Sequence, residues 1–343
     1  MPKVNNISRL EFGDRISQAG KILPASVLQD HPGARIFLLA DAAVSPLTES
    51  LADPLRVITH LVEGGEKVKS LSSIEEITSW LVDHKAGRED FLLILGGGSV
   101  CDAGAFVASI YKRGMPFALI PTTLLAQVDA AIGGKNAINF GGIKNVLGTF
   151  NMPEFTFICP EPLKTLPREE FRSGSAELVK TLLISGRNYK ELIALLSSYN
   201  KEALNALAPF IAQAAKTKAA IVERDFYDRG ERRVLNLGHT FGHALEAISN
   251  LSHGDAVAIG IILAARLACR KGLAPATFVA ELKEDFRQAG LPTECPVPIE
   301  TLRDLMRQDK KASAQKIKFI LPIGIGQTTE VELSADDAIT CLI

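Results

Sequence analysis

The first half of the sequence alternates short apolar runs with segments of helical periodicity, and this alternation restricts its fold more than any other feature. Four runs are rich in β-branched, leucine and aromatic residues and are punctuated by Gly, Pro or Asp: residues 34–40, 56–62, 91–95 and 117–120. Strands that alternate with helices form parallel sheets, because each crossover returns the chain to the same edge. The first half therefore predicts a parallel α/β sheet.

The pattern changes near residue 158. Residues 201–224 and 255–271 have helical periodicity and few strand signals follow, apart from residues 316–321. A length of 343 residues suits two domains. We expect an α/β domain over residues 1–158 and a mainly α-helical domain over residues 159–343.

Composition excludes several classes of protein. An apolar content of 47% with a net charge of −1 is ordinary for a soluble globular chain and argues against a nucleic-acid surface. The five cysteines are scattered without CxxC spacing, so we expect neither disulfides nor a thiolate metal site, and a cytoplasmic location. No signal peptide is evident and the most apolar stretch, residues 256–265, is too short to span a bilayer, so we expect no membrane partner.

Three of the six histidines lie within fifteen residues: His239, His243 and His253. The first two are four apart and would share one face of a helix, while His253 can return from the next turn or helix. A catalytic zinc site uses three protein ligands. Thr240 stands where the HExxH motif has glutamate, which disfavours a zinc peptidase. The cluster indicates a metal site, and helix-capping or core histidines are the alternative.

A glycine-rich turn follows the third predicted strand. Residues 96–98 are all glycine, and a helical pattern begins directly after them. Such a turn offers backbone N–H groups and a helix N-terminus to a pyrophosphate. Cys101 takes the place of the third glycine of GxGxxG, so a purely structural turn remains an alternative.

Two further features downstream favour a phosphorylated ligand. Thr122 and Thr123 follow a predicted strand, and two glycine-rich loops carry Lys135 and Lys144. Lysine beside a turn with exposed backbone amides is a common phosphate clamp. Each lysine taken singly is more typical of a solvated surface charge.

Ordered motifs along the chain resemble those of the 3-dehydroquinate synthase family, within the sugar-phosphate cyclase superfamily. They run from about residue 40 to residue 320 and include PTTLLAQVD at 121–129, GGK at 133–135, LKTLP at 163–167, AELVK at 176–180, LNLGHTFGH at 235–243 and HGDAV at 253–257. So many motifs in one order are far more specific than a single glycine turn.

The resemblance implies an N-terminal Rossmann-like parallel-sheet domain that binds NAD and a C-terminal mainly α-helical domain that binds a divalent metal, zinc or cobalt. It implies a carbon-oxygen lyase of the shikimate pathway of aromatic amino-acid biosynthesis. This enzyme converts a phosphorylated sugar acid, 3-deoxy-D-arabino-heptulosonate 7-phosphate, to 3-dehydroquinate and phosphate with catalytic NAD. It also implies a homodimer in which Arg113 reaches the phosphate site of the neighbouring subunit.

The resemblance also assigns site residues, motif by motif. The metal ligands are Glu177, His239 and His253. Residues matched to catalysis are Lys135, Lys180, Arg232, Asn236 and His243, the last of which turns to the substrate phosphate. Further substrate contacts are Arg113, Asp129, Asn145, Lys218, Lys310 and Lys311. NAD contacts are Asp41, Glu66, Lys69, Gly97, Gly98, Ser99, Asp102, Thr122, Thr123, Lys135, Lys144 and Thr165.

Three other functions remain open. One is a related cyclase acting on sedoheptulose 7-phosphate or glucose 6-phosphate, which lack the carboxylate that Lys218, Arg232 and Asn236 would contact. Another is a metal-dependent alcohol or glycerol dehydrogenase, and the third is a non-catalytic NAD-binding protein.

The chain departs from the family pattern at Asp228, Glu231, Thr181, Leu182, Ser99 and Cys101.

Overall fold

The computed structural model describes residues 8–20, 33–52, 57–198, 204–308 and 316–343. They form two compact units. The first unit comprises Met1–Leu166 and Lys218–Tyr227, and the second comprises Pro167–Thr217 and Asp228–Ile343. The first unit thus extends beyond residue 158 and includes a segment from within the expected helical domain.

The described residues contain ten strands and eleven α-helices, which we number in chain order. The strands are β1 (Arg9–Phe12), β2 (Ile36–Asp41), β3 (Val57–Val62), β4 (Phe91–Gly96), β5 (Phe117–Pro121), β6 (Lys135–Phe140), β7 (Ile143–Phe150), β8 (Phe155–Ile158), β9 (Ile317–Gly324) and β10 (Gln327–Leu333). The helices are α1 (Pro46–Ala52), α2 (Leu71–Asp83), α3 (Gly98–Ile110), α4 (Arg168–Ser185), α5 (Tyr189–Ser197), α6 (Leu204–Arg224), α7 (His239–Ile248), α8 (His253–Arg270), α9 (Ala276–Gln288), α10 (Leu302–Gln308) and α11 (Ala335–Leu342).

A six-stranded parallel sheet forms the centre of the first unit, in the order β1-β8-β5-β4-β2-β3. Its side chains alternate between two cores. Phe37, Leu39 and Ile94 pack on one face with α2 and α3, while Leu38 and Leu93 pack on the other face with α1. Burial on both faces explains why the strands are continuous apolar runs. The predicted parallel α/β fold is confirmed.

The carboxyl ends of the parallel strands bring candidate residues to one edge of this sheet. Asp41 ends β2, Gly97 follows β4 and Thr122 follows β5. Between β4 and α3 the chain turns sharply, and a Cβ on Gly96 would lie 2.7 Å from the Cβ of Val100. This edge is where open α/β sheets bind their ligands.

The second unit is mainly helical, as predicted, with β9 and β10 as an antiparallel pair. Helix α8 is its centre: residues 254–265 are all buried, and the helix packs against α4, α7 and β9. A helix that is apolar on every side needs such a position. Among the described residues, no helix is both long and apolar enough to cross a membrane.

Helices α7 and α8 approach closely because two glycines face each other. Gly238 precedes α7 with a φ of 81°, and a Cβ there would lie 2.7 Å from the Val257 carbonyl oxygen. Across the contact, a Cβ on Gly260 would collide with the carbonyl oxygen of Gly238. The close approach places His239, the first residue of α7, beside α8.

We predict that Gly260→Ala destabilises the protein although alanine favours helices. The added Cβ would strike the Gly238 carbonyl and lie 3.0 Å from the Gly242 amide nitrogen, and neither backbone atom can yield without moving α7. Overpacking of this kind costs about 1–3 kcal/mol, more than the ~1 kcal/mol gained in helix propensity. Thermal unfolding followed by calorimetry measures the loss. Gly324→Ala is the control, since a Cβ there meets nothing closer than 3.5 Å; equal melting temperatures for the two variants would contradict the prediction.

Candidate functional site

Glu177, His239 and His253 come together in the second unit. Glu177 lies within α4, and the two histidines are the first residues of α7 and α8. One ligand atom from each lies within 4.8 Å of the others. The Nε2 atoms of His239 and His253 are 3.7 and 3.5 Å from Oε1 of Glu177. Two imidazole nitrogens and one carboxylate oxygen can hold a divalent metal and leave a position open.

The carboxylate of Glu177 is fully buried and ionised. Lys180, one turn later in α4 and only 1% exposed, places its Nζ 2.5 Å from Oε2. Burial alone would raise the pKa of Glu177, but Lys180 and His253 outweigh burial and hold the pKa well below its usual range. Neither carboxylate oxygen accepts a well-oriented hydrogen bond from the described residues. A bound cation would satisfy those oxygens, so the donor set fits a metal ion.

The two histidine rings are held through their Nδ1 atoms. Nδ1 of His239 lies 3.3 Å from the carbonyl oxygen of Leu237, which only accepts hydrogen bonds, so Nε2 is left to bind a metal. Burial, followed by the charge of Lys180, lowers the pKa of His239 to about 3, so its ring is neutral at pH 7. Nδ1 of His253 lies 3.3 Å from Glu246 Oε2. Burial lowers the pKa of His253, but Glu177 and Glu246 outweigh it and raise the pKa to about 10.

Glu246 is a site residue that the sequence analysis missed. It lies seven residues after His239 in α7, two helical turns along the same face. A carboxylate on the second nitrogen of a metal-binding histidine fixes the ring. The helical spacing places Glu246 on the same face as His239, but its contact with His253 depends on how α7 and α8 pack.

His243 lies outside this group of three. Its ring centroid is 5.4 Å from that of His239, one turn along α7, and its side chain is exposed. His239 and His253, rather than His243, are grouped with Glu177, and the separate role at the phosphate that the family motifs imply for His243 stays a prediction. Arg232, which is buried, and Asn236, which is exposed, lie in the short helical turn before α7. Lys180 donates to the carbonyl oxygen of Leu235 at 2.7 Å and so ties this turn to α4.

Candidate NAD residues of the first unit meet at the carboxyl edge of the parallel sheet. Lys69 is buried there and donates to Asp102 Oδ2 at 2.6 Å and to Asn145 Oδ1 at 2.5 Å. Burial raises the pKa of Asp102 to about 6 although Lys69 lowers it. The other members lie at the ends of the strands, in the segments that follow them or, for Gly98 and Ser99, in the first turn of α3: Asp41, Glu66, Gly97, Gly98, Ser99, Thr122 and Thr123.

Asp129 and Lys218 form an ion pair in the first unit. Asp129 belongs to a π-helical turn, Ala126–Ala130, and Lys218 donates to its Oδ1 at 2.5 Å and to its carbonyl oxygen at 2.7 Å. Gln127, which the sequence analysis missed, is fully buried in the same turn. Its Nε2 donates to the carbonyl oxygens of Pro121 and Cys159, which anchors the turn to the ends of β5 and β8.

The remaining candidates of the first unit are exposed. Lys135 begins β6, and Lys144 lies on β7. Thr165 donates from Oγ1 to the carbonyl oxygen of Pro162. Arg113 follows α3, which begins at the carboxyl edge of the sheet and runs back to its amino edge. Arg113 therefore lies at the edge opposite to Thr122.

Two candidates, Lys310 and Lys311, lie outside the described residues.

Among the departures from the family pattern, Cys101 is packed in α3 behind the glycine turn, and burial raises the pKa of its thiol. Asp228 has a φ of 57°, in the left-handed region that Asp tolerates better than most residues. Glu231 is exposed.

Two family models match the sequence. The model described as 3-dehydroquinate synthase N-terminal matches residues 59–173, and the model described as 3-dehydroquinate synthase C-terminal matches residues 174–312. A protein of Shewanella denitrificans named 3-dehydroquinate synthase is 40% identical over 307 residues, which cover 85% of each chain.

Solved structures share the fold. The 2-epi-5-epi-valiolone synthase of Streptomyces hygroscopicus subsp. jinggangensis 5008, solved with NAD+ and Zn2+, is 27% identical with a TM-score of 0.84, covering 100% of this chain and 97% of that one. A 2-deoxy-scyllo-inosose synthase solved with carbaglucose-6-phosphate, NAD+ and Co2+ is 23% identical with a TM-score of 0.84. The match covers 97% of this chain and 95% of that one. At that identity the second likeness concerns the fold alone.

We predict that Lys180→Met destabilises the metal-free protein by about 3–5 kcal/mol, because the buried carboxylate of Glu177 then loses its nearest cation. Chemical unfolding in the presence of a chelator measures the effect. Removing both charges, in Lys180→Met with Glu177→Gln, costs less than Lys180→Met alone. Lys283→Met is the control, since Lys283 pairs with the exposed Glu294 and its loss costs under about 1 kcal/mol. A double variant less stable than Lys180→Met would contradict the ion-pair account.

Proposed function

The chain belongs to the 3-dehydroquinate synthase family, and we propose that it converts 3-deoxy-D-arabino-heptulosonate 7-phosphate to 3-dehydroquinate and phosphate with one metal ion and one NAD that are not consumed. The observation that carries the proposal is the Glu177–His239–His253 group, with the charged Lys180 buried against it. The substrate carries a phosphate, a carboxylate and several hydroxyl groups, and the chain has cationic and amide side chains that can bind each of these groups.

We propose that Glu177, His239 and His253 hold the metal ion. When bound, a divalent ion acts as a Lewis acid that lowers the pKa of a substrate hydroxyl. Zinc suits two imidazoles and one carboxylate, and the valiolone synthase that shares the fold was solved with Zn2+. Cobalt is the alternative, because imidazole and carboxylate ligands accept both metals.

We propose that NAD binds at the carboxyl edge of the parallel sheet. Bound there, NAD would supply reversible hydride transfer, which fits a reaction without net redox change. The glycine amides and the start of α3 suit the pyrophosphate. Carboxylates and hydroxyls in the neighbouring turns suit the ribose hydroxyls and the nicotinamide. The proposed contacts are Asp41, Glu66, Lys69, Gly97, Gly98, Ser99, Asp102, Thr122, Thr123, Lys135, Lys144 and Thr165.

The charges of the substrate determine the roles of the remaining residues. Lys135 and His243, with Arg113 from a second subunit, neutralise the charge that develops on the leaving phosphate. Oxidation of the neighbouring alcohol to a ketone would make the adjacent C–H proton acidic. An oxygen of the substrate phosphate can accept that proton, a C=C bond forms, and phosphate leaves with the electron pair of the C–O bond by β-elimination. Cationic and polar side chains orient the carboxylate and the hydroxyls through both steps. These are Lys180, Lys218, Arg232, Asn236, Asp129, Asn145, Lys310 and Lys311.

We propose a homodimer in the cytoplasm. Arg113 is exposed at the amino edge of the sheet, opposite to the edge with Thr122. From this position its side chain is suited to contact the phosphate site of a second subunit. Apolar side chains of the β6–β7 hairpin are also exposed, which is typical of an interface: Phe140, Ile143, Val146 and Phe150. All five cysteines are free, as expected in a reducing compartment.

We predict that the purified protein, supplied with the heptulosonate phosphate, NAD and zinc, releases phosphate and dehydroquinate without accumulating NADH. Phosphate assay, product chromatography and absorbance at the NADH band measure the three species together. Turnover of sedoheptulose 7-phosphate in place of the heptulosonate would support a related cyclase. One NADH formed for each substrate consumed would support a dehydrogenase.

We predict that His253→Ala and His243→Ala separate metal binding from phosphate release. His253→Ala removes a proposed ligand, so the purified variant loses its metal. His243→Ala keeps a stoichiometric metal ion and NAD affinity, while turnover falls about 100-fold or more because a charged or proton-donating group at the phosphate is lost. Elemental analysis and NAD titration accompany the kinetics. Metal loss in both variants would disprove the division of roles.

A further inference from the structure

An irregularity in the β6–β7 hairpin presents two of the proposed ligand residues. Ile138 pairs with Leu147, and Phe140 pairs with Ile143, so Asn139 alone faces residues 144–146. Extra residues on one strand form a bulge, which re-aims their side chains. Lys144 and Asn145 both belong to this bulge.

Asn139 fills the gap that the bulge leaves. Its Oδ1 accepts a hydrogen bond from the Asn145 backbone N–H at 2.9 Å. Its Nδ2 donates to Glu66 Oε1 at 2.7 Å, and its backbone N–H donates to the carbonyl oxygen of Lys69 at 2.9 Å. Asn145 has a φ of 55°, in the left-handed region, where a non-glycine residue needs its surroundings to hold it.

Lys69 holds the side chain of the same residue. Its Nζ lies 2.5 Å from Asn145 Oδ1 and 2.6 Å from Asp102 Oδ2. An ammonium group only donates, so the oxygen of the Asn145 amide must face Lys69. The amide Nδ2 is therefore directed elsewhere, as a donor suited to a substrate oxygen.

We propose that Asn139 is a positioning residue: it fixes the backbone of Asn145 and, through Glu66, ties this substrate contact to the segment that binds NAD. The inference rests on the proposed function, which makes Asn145 a substrate ligand and Glu66 and Lys69 cofactor ligands. Asn139 acts only through its neighbours. Its loss therefore weakens sugar-phosphate binding and leaves the chemical step intact.

The experiment compares wild type, Asn139→Ala, Asn145→Ala and the double variant. Asn139→Ala raises the KM for the heptulosonate phosphate about tenfold, with kcat within about twofold, because a lost binding contact appears in KM. In the double variant Asn139→Ala adds nothing further, since its effect passes through Asn145. Hydrogen–deuterium exchange of the peptide containing Asn145 is faster in Asn139→Ala, and this readout requires neither substrate nor cofactor.

Two controls make the outcome decisive. Asn151→Ala makes the same change at the other end of the hairpin, where Asn151 donates to Ser109 Oγ, and leaves KM unchanged. Asn139→Ser stays polar but is too short to bridge Glu66 and Asn145. We expect it to change KM and hydrogen exchange as Asn139→Ala does, so it provides the test if the alanine variant does not fold.

Additive effects in the double variant, or exchange at Asn145 that is unchanged in Asn139→Ala and Asn139→Ser, would overturn the positioning role. Failure of the wild type to turn over the heptulosonate would instead reject the proposed function, and the exchange measurement would still decide whether Asn139 holds Asn145.

Discussion

The buried carboxylate of Glu177 is the constraint around which the second unit is arranged. A fully buried charge is costly unless cations and donors surround it. Lys180 supplies the nearest cation, 2.5 Å away, and its other contact, at the Leu235 carbonyl, fixes the turn that leads into α7. His239 and His253 then approach from the first residues of two helices. The same negative charge that demands this compensation makes the site attractive to a metal ion.

The helices that carry the histidines are held independently of any ligand. Arg172 binds Asp255 through two hydrogen bonds, of 2.9 and 2.6 Å, and Gly254 donates its N–H to Ser173 Oγ, so the start of α8 is fastened to α4. Gly238 and Gly260 permit α7 and α8 to approach closely at the adjacent point. His239 and His253 begin helices that are fastened in this way, and Glu177 lies within α4, so ordering these three side chains would cost little if they bind an ion.

The first unit builds its candidate sites differently. The parallel sheet brings the turns after β2, β4 and β5 to one edge because every strand points the same way. The alternation of strands and helices was enough to predict this sheet, since both periodicities are local. The β6–β7 hairpin was not predicted as an element, and its bulge and the contacts of Asn139 join residues up to 73 positions apart in sequence. No local pattern encodes such a pairing.

The sequence by itself determined strands β2 to β5 of the parallel sheet, strand β9, the long helices of the second half and the residue types available for chemistry, because hydrophobic periodicity and turn residues act over a few positions. Its motifs also determined the family, and they predict for His243 a role separate from that of His239 and His253. Only the tertiary structure decided how charges are compensated: Lys180 against Glu177, Glu246 behind His253, Lys69 between Asp102 and Asn145. Some of these partners are close in sequence and others distant, but each contact depends on which faces become buried, and burial is set by the packing of the whole chain.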